Sequence, residues 1–305
     1  MDRREFIKRF FSYSALTAAA LTLRPAGKLF AETREGSPDL VAVVGETPGR
    51  MFDAGISALG GMTAFVKPGQ VVMIKPNISW NSPAERGATT NPELVQRIIE
   101  HCLAAGAKRV YVVDNTINSW ESCYKTTGME SAVKSAGGVM APAHSSGYYQ
   151  KVTIPGAKVL KTTLVHELVL EAEVFINVPI LKHHSTTRLT GALKNLMGLV
   201  WDRQFYHSAG LSQCIAEFPL LRKPTLNVVD AYTVMMTGGP QGGTYRTTLE
   251  LRKMQILSTD PVAADAAATR LFNWQPEEIR HLVIASDLRL GSRNLDTLKI
   301  KRITL

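Results

Sequence analysis

Apolar residues in this chain gather into short continuous runs separated by amphipathic stretches. Leu40 to Val44, Val71 to Ile74, Arg109 to Val113, Val174 to Val178, Leu226 to Val229 and Met254 to Leu257 read as strands. Between them, Met51 to Leu59 reads as helix, and Lys67-Pro68-Gly69 is a turn signal before the second strand. Asn91-Pro92-Glu93 caps a helix reaching about Ala105, with proline at the first helical position. Pro261 to Leu271 and Pro276 to Ala285 also read as helices. Strands that are apolar throughout and alternate with helices predict an α/β fold: a doubly wound, mainly parallel sheet with helices on both faces. The stretch 137–170 is less regular and predicts a small β-rich insertion, in which Tyr148 to Ile154 alternates like an antiparallel strand.

The amino terminus departs from this pattern. Arg3-Arg4 precedes a mostly apolar run from Phe10 to Leu23, and Leu29-Phe30-Ala31 offers a peptidase site. Basic start, apolar middle and cleavable end form the layout of a twin-arginine export signal over residues 1–31. The run of about 14 residues is short of the roughly 20 that span a bilayer. The expectation is export to the periplasm by the twin-arginine translocation machinery, with retention as an uncleaved anchor as the other outcome. Residues 32–305 then form one α/β domain.

Composition narrows the function classes. At 45% hydrophobic and 20% charged, the chain is neither disordered nor a disulfide scaffold. Its net charge of +9 raises a nucleic-acid reading. However, the segment 1–31 holds six basic and two acidic residues and so supplies four of those nine charges. No nucleic-acid partner is expected. Cys102, Cys123 and Cys214 lack the spacing of a zinc site or an iron–sulfur cluster. Cys102 lies in an apolar helical pattern and reads as a buried thiol, and one disulfide among the three stays open.

Polar residues follow the apolar runs at regular places. Ile74 runs into Lys75-Pro76-Asn77, Val113 into Asp114-Asn115, Leu181 into Lys182-His183-His184, Val229 into Asp230, and Leu257 into Ser258-Thr259-Asp260. In an open parallel sheet these strand ends share one edge, where ligands bind. Lys75, Asn77 and Lys182 are therefore candidate ligand-binding residues, while His184, Asp114 and Asp230 are candidates for proton transfer. Asp260 before Pro261 equally suits a helix cap. His183 and His184 are weak candidates for a divalent metal, because neighbours on a strand point to opposite faces. In Thr190 to Gly198, Lys194 and Asn195 interrupt an apolar helix surface and are added as ligand-binding candidates, with Gly191 and Gly198 allowing close backbone approach. Gly238 to Gly243 reads as a mobile lid, a plain loop or a phosphate cradle.

Three of these motifs in order, Lys75-Pro76-Asn77, Lys182-His183-His184 and Thr190 to Gly198, resemble the domain-of-unknown-function family 362. The likeness runs from about Val41 to Leu271 and takes in Leu59-Gly60-Gly61-Met62 and Thr259 to Asp265. The family's usual Lys-Thr-His stands here as Lys182-His183-His184, so His184 matches the family histidine. The resemblance implies an α/β fold and no common reaction. Some relatives carry iron–sulfur modules, which implies redox chemistry and a redox partner protein, but this chain lacks the cysteines. Two functions follow as expectations. One is an exported enzyme acting on a small anionic ligand or cofactor. The other is a non-catalytic periplasmic protein that binds or delivers a cofactor or metal.

Overall fold

The computed structural model describes residues 36–305, so the expected export signal lies outside the described residues. The strands are β1 (Leu40–Val44), β2 (Val71–Pro76), β3 (Arg109–Val112), β4 (Val139–Met140), β5 (Tyr149–Thr153), β6 (Thr162–His166), β7 (Val174–Val178), β8 (Ile180–His184), β9 (Arg188–Thr190), β10 (Leu226–Thr237), β11 (Thr248–Ser258) and β12 (Ile300–Thr304). The main sheet runs β12-β1-β11-β10-β7-β2-β3-β4, with β8 and β9 attached beyond β10. β10, β7, β2, β3 and β4 are mutually parallel. β11 is antiparallel to both of its neighbours, β10 and β1. The fold is thus α/β with a mixed, mostly parallel sheet.

Alternate residues of each strand feed two cores, because successive side chains leave a strand on opposite faces. Met73, Tyr111, Phe175, Val229 and Ile256 pack on one face. Val72, Ile74, Val110, Val112, Ile176, Val228 and Leu257 pack on the other. The second face is covered by helices α1 (Pro48–Ala58), α2 (Pro92–Ala104), α3 (Trp120–Thr126) and α4 (Met129–Ser135). α2 starts as expected: the Asn91 side chain accepts from Glu93 N–H at 2.9 Å, and Pro92 follows. Helices at Ala192–Asn195, Leu211–Glu217, Pro261–Thr269 and Arg280–Asp287 contribute to the first face.

Two expectations about the sheet are corrected. The β11 strand runs opposite to β10 and β1 on either side of it, so Ser258 and Asp260 leave it at the far edge and do not join Lys75. The cap reading of Asp260 holds: it caps helix Pro261–Thr269, accepting from Val262 and Ala263 N–H at 2.7 and 3.0 Å. The Leu226 run does not stop at Val229 but continues to Thr237, which leaves Asp230 inside a strand. Gly238 to Gly243 lies in the connection between β10 and β11. Within 137–170, β4 joins the main sheet and β5 pairs antiparallel with β6 in a separate two-stranded sheet. Among the described residues no helix is long and apolar enough to cross a membrane. All three cysteines are buried and unpaired, and burial pushes the Cys102 thiol up to about 12.

Candidate functional site

Chain winding picks out one place in the sheet. From β2 the chain proceeds outward through β3 and β4, then returns to β7 on the other side of β2. The carboxyl ends of β2 and β7 therefore flank a switch point, where open α/β sheets leave a crevice. Lys75 and Asn177 lie opposite each other there.

Lys75 is 1% exposed, and its amine sits 2.9 Å from the Asp114 carboxylate. The Lys75 Nζ also donates to Asn195 Oδ1 at 3.2 Å and to its neighbour's carbonyl, Pro76 O. Burial pushes the Lys75 amine down, and the facing Asp114 charge opposes that shift. Asp114 is held from its other oxygen by Ile78 N–H at 2.6 Å. Both groups lie against the backbone of Gly198. A Cβ at that position would stand 2.5 Å from Lys75 Cε and 2.7 Å from Nζ, and closer still to Asp114 Oδ1. Glycine is what lets the ion pair close beneath this segment.

A second glycine is needed for a similar reason. Asp265, on helix Pro261–Thr269, accepts from Ala192 N–H and, at 3.0 Å, from Leu193 N–H, which fixes the start of helix Ala192–Asn195. A Cβ on Gly191 would come within 2.9 Å of the Asp265 Cγ. Burial raises the Asp265 carboxyl to about 7, against the pull of those two amides. This helix presents Lys194 and Asn195 at the sheet edge, so Asp265 positions two site residues from a distant segment.

Lys182, on β8, is 1% exposed and donates to the Ala88 carbonyl. Burial, then the charges of Lys194 and Lys75, lowers it to about 7, with Asp114 opposing. Lys194 is half-buried as a residue, and burial of its amine, then the Arg203 and Lys75 charges, lowers it to about 8. Arg203 donates to the carbonyls of Asn115 and Thr116 at 2.7 and 2.8 Å. Its charge acts on Lys75 and Lys194, and Asp114 acts on it in turn. Asp114 thus acts on Lys75, Lys182 and Arg203, while Lys194 is tied in through the Lys75 and Arg203 charges.

His184 is buried, and its Nδ1 accepts from Thr186 N–H at 3.1 Å and Thr187 N–H at 3.4 Å. Its remaining hydrogen is thereby set on Nε2. Burial and the nearby Lys194 and Lys182 charges hold it down to about 2, so it stays neutral over the physiological range. His183 faces elsewhere and accepts from Gly239 N–H at 3.3 Å, which seats the glycine-rich connection on β8. Among the described residues no group of three or more His, Cys, Asp or Glu side chains could hold a metal ion.

The structure thus brings Lys75, Asn77, Asp114, Lys182, His184, Lys194 and Asn195 to one end of the sheet. Asp230 is set apart. Its carboxylate is fully buried and accepts from Asn91 N–H at 2.7 Å and Tyr232 N–H at 3.0 Å, beside a cavity of about 130 Å³. Burial raises it to about 6, opposed by those backbone donors. Sequence reasoning missed Arg203, Asp265, Asn177 and His281. His281 is fully buried with neither ring nitrogen partnered, and burial and the Lys194 charge lower it to about 3. A polar residue inside the otherwise apolar run Val174 to Val178 was the signal available for Asn177.

The chain is similar to two known proteins. A thylakoid-associated protein of Synechocystis sp. is 27% identical over 260 residues, which cover 77% of this chain and 73% of that protein. The lactate racemase apoprotein of Thermoanaerobacterium thermosaccharolyticum overlays with a TM-score of 0.48 at 10% identity. That overlay covers 78% of this chain but only 57% of the racemase, so this chain spans little more than half its length. The family described as Domain of unknown function (DUF362) matches residues 72–270, a span that starts within β2 and holds every site residue from Lys75 to Asp265, and the chain belongs to that family.

Proposed function

We propose that this chain is an exported enzyme that binds a small anionic ligand, or the anionic part of a cofactor, at the end of β2. One observation carries the reading: the buried Lys75–Asp114 pair closes at 2.9 Å, and further cations bear on it, the Lys75 charge lowering Lys182 and Lys194 and the Arg203 charge lowering Lys75 and Lys194. Like charges held together in a low-dielectric place are costly unless an anion joins them. Lys194 and Arg203 are the part-exposed members and form the entrance. Lys75, fixed by Asp114 and Asn195, supplies an oriented inner charge.

Proton transfer falls to Lys182 in this reading. With its affinity brought to about 7, it can give or take a proton near neutral pH. His184 contributes an Nε2–H donor, since its imidazole stays neutral. Asp114 acts by holding Lys75. Asp230, engaged by backbone amides, is left outside the chemistry. Export to the periplasm rests on the Arg3-Arg4 segment and its apolar sequel.

Native mass spectrometry of the full chain, purified without denaturation, tests this. A stoichiometric small anion, lost in Lys194→Ala, supports the site, and turnover of that species supports an enzyme. Retention without turnover would favour the carrier function. An empty wild-type protein that also fails to bind phosphate, sulfate, acetate or glycolate overturns the proposal.

A further inference from the structure

Beneath the cations runs a chain of four asparagines whose direction is fixed from its far end. Asn227 gives its amide hydrogen to the Ser258 carbonyl at 3.2 Å, so its Oδ1 is turned to accept from Asn177 Nδ2 at 2.9 Å. That same Nδ2 donates to the Ala192 carbonyl at 2.9 Å. Asn177 Oδ1 then accepts from Asn195 Nδ2 at 2.8 Å, and Asn195 Nδ2 also reaches the Lys75 carbonyl at 3.0 Å. Asn195 Oδ1 must therefore be the acceptor for Asn77 Nδ2 and for Lys75 Nζ, each at 3.2 Å. Turning any one amide over would set donor against donor or acceptor against acceptor.

The last link is left open. Asn77 is 7% exposed, and its Oδ1 is buried with no partner. A buried acceptor left without its hydrogen bond is costly, so a ligand that supplies the missing hydrogen gains by it. The surroundings are cationic. Asn77 exchanges two hydrogen bonds with Thr90, at 2.8 and 2.9 Å, and Ala88 two residues earlier takes the Lys182 amine. Lys75 meets the same Asn195 oxygen as Asn77. A fully deprotonated oxyanion placed here would turn a lone pair toward Asn77 Oδ1. An oxyanion bearing a hydroxyl would offer a hydrogen instead.

We propose that this site selects oxyanions that carry an O–H donor, with Asn77 Oδ1 as the group that reads the hydrogen. The inference rests on the anion-site reading and adds the class of ligand. Two sources share the chemistry: a phosphate that keeps one proton at neutral pH, and a carboxylate with a neighbouring hydroxyl.

Calorimetric titration of the full chain distinguishes them, using hydrogen phosphate against sulfate and glycolate against acetate. The members of each pair are matched in charge. In the source that applies, the O–H-bearing member should bind about tenfold tighter, and Asn77→Leu should bring that pair within about twofold of each other. Equal affinities within both pairs for the wild type would overturn the inference, as would a preference that survives Asn77→Leu. If that variant does not fold, the wild-type pairs decide alone. Failure of all four probes to bind would instead overturn the anion site itself.

Discussion

Gly198→Ala separates two opposing effects of a single methyl group. The Gly198 backbone is not in the left-handed region, so alanine fits its conformation. By unfolded-state entropy alone the change should stabilise the protein by about 0.4–1 kcal/mol. The new Cβ, however, would stand 2.5 Å from Lys75 Cε and 2.7 Å from Nζ, and closer to Asp114 Oδ1. None of these atoms is free to retreat. Lys75 is tied to Asn195 at 3.2 Å and Asp114 to Ile78 N–H at 2.6 Å, and both residues are 1% exposed. Overpacking of this kind costs about 1–3 kcal/mol. If the strain is relieved by parting the ion pair, the cost of a broken buried pair, about 3–5 kcal/mol, applies instead. Urea denaturation at neutral pH should therefore show a loss of about 2 kcal/mol or more, the sign opposite to the entropic effect. A variant as stable as the wild type, or more stable, would refute the claim that Gly198 exists to admit the Lys75–Asp114 pair.

Other variants probe different links. Lys182→Met should be more stable than the wild type. The folded-state amine titrates at about 7 against 10.5 ordinarily, so its penalty is full below about 7 and fades as pH rises toward 10.5. Denaturation at pH values below 7 and near 10.5 checks this, and a pH-independent difference would contradict it. His281→Leu removes a buried imidazole with two unpartnered nitrogens and should raise stability by about 1–3 kcal/mol in thermal or urea unfolding. A loss of stability would mean the ring has a partner in solution. Replacing both Arg3 and Arg4 with Lys should trap the protein in the cytoplasmic fraction of an expressing bacterium. Unchanged appearance in the periplasmic fraction would remove the export reading.

How much the sequence disclosed follows from what periodicity encodes. Buried strands such as Val71 to Ile74 stand out because both of their faces are apolar. Direction is not encoded in that signal, so antiparallel β11 looks like its parallel neighbours; of the two readings of Asp260 the ligand-edge one fails and the helix cap holds. β10 was cut short at Val229 because Asp230 resembles a turn residue, although backbone amides satisfy it inside the strand. Lys75, Asn77, Asp114 and Lys182 were legible because each follows an apolar run that ends at the ligand-side edge. Arg203, Asp265 and His281 were not, since they sit on helices with ordinary patterns and reach the site only through packing. The roles of Gly191 and Gly198 could be expected in kind, but their opposing partners, Asp265 and the Lys75–Asp114 pair, lie far off in sequence.

The anion site itself is tested most directly by titrating phosphate, sulfate, acetate and glycolate into the wild type, Lys194→Ala and Arg203→Ala. Both substituted residues are part-exposed, so the variants should fold. At least one of the four anions should bind the wild type, and each substitution should weaken that binding about tenfold or more, as expected for loss of a charge-assisted contact. Wild-type affinity in both folded variants would contradict the account.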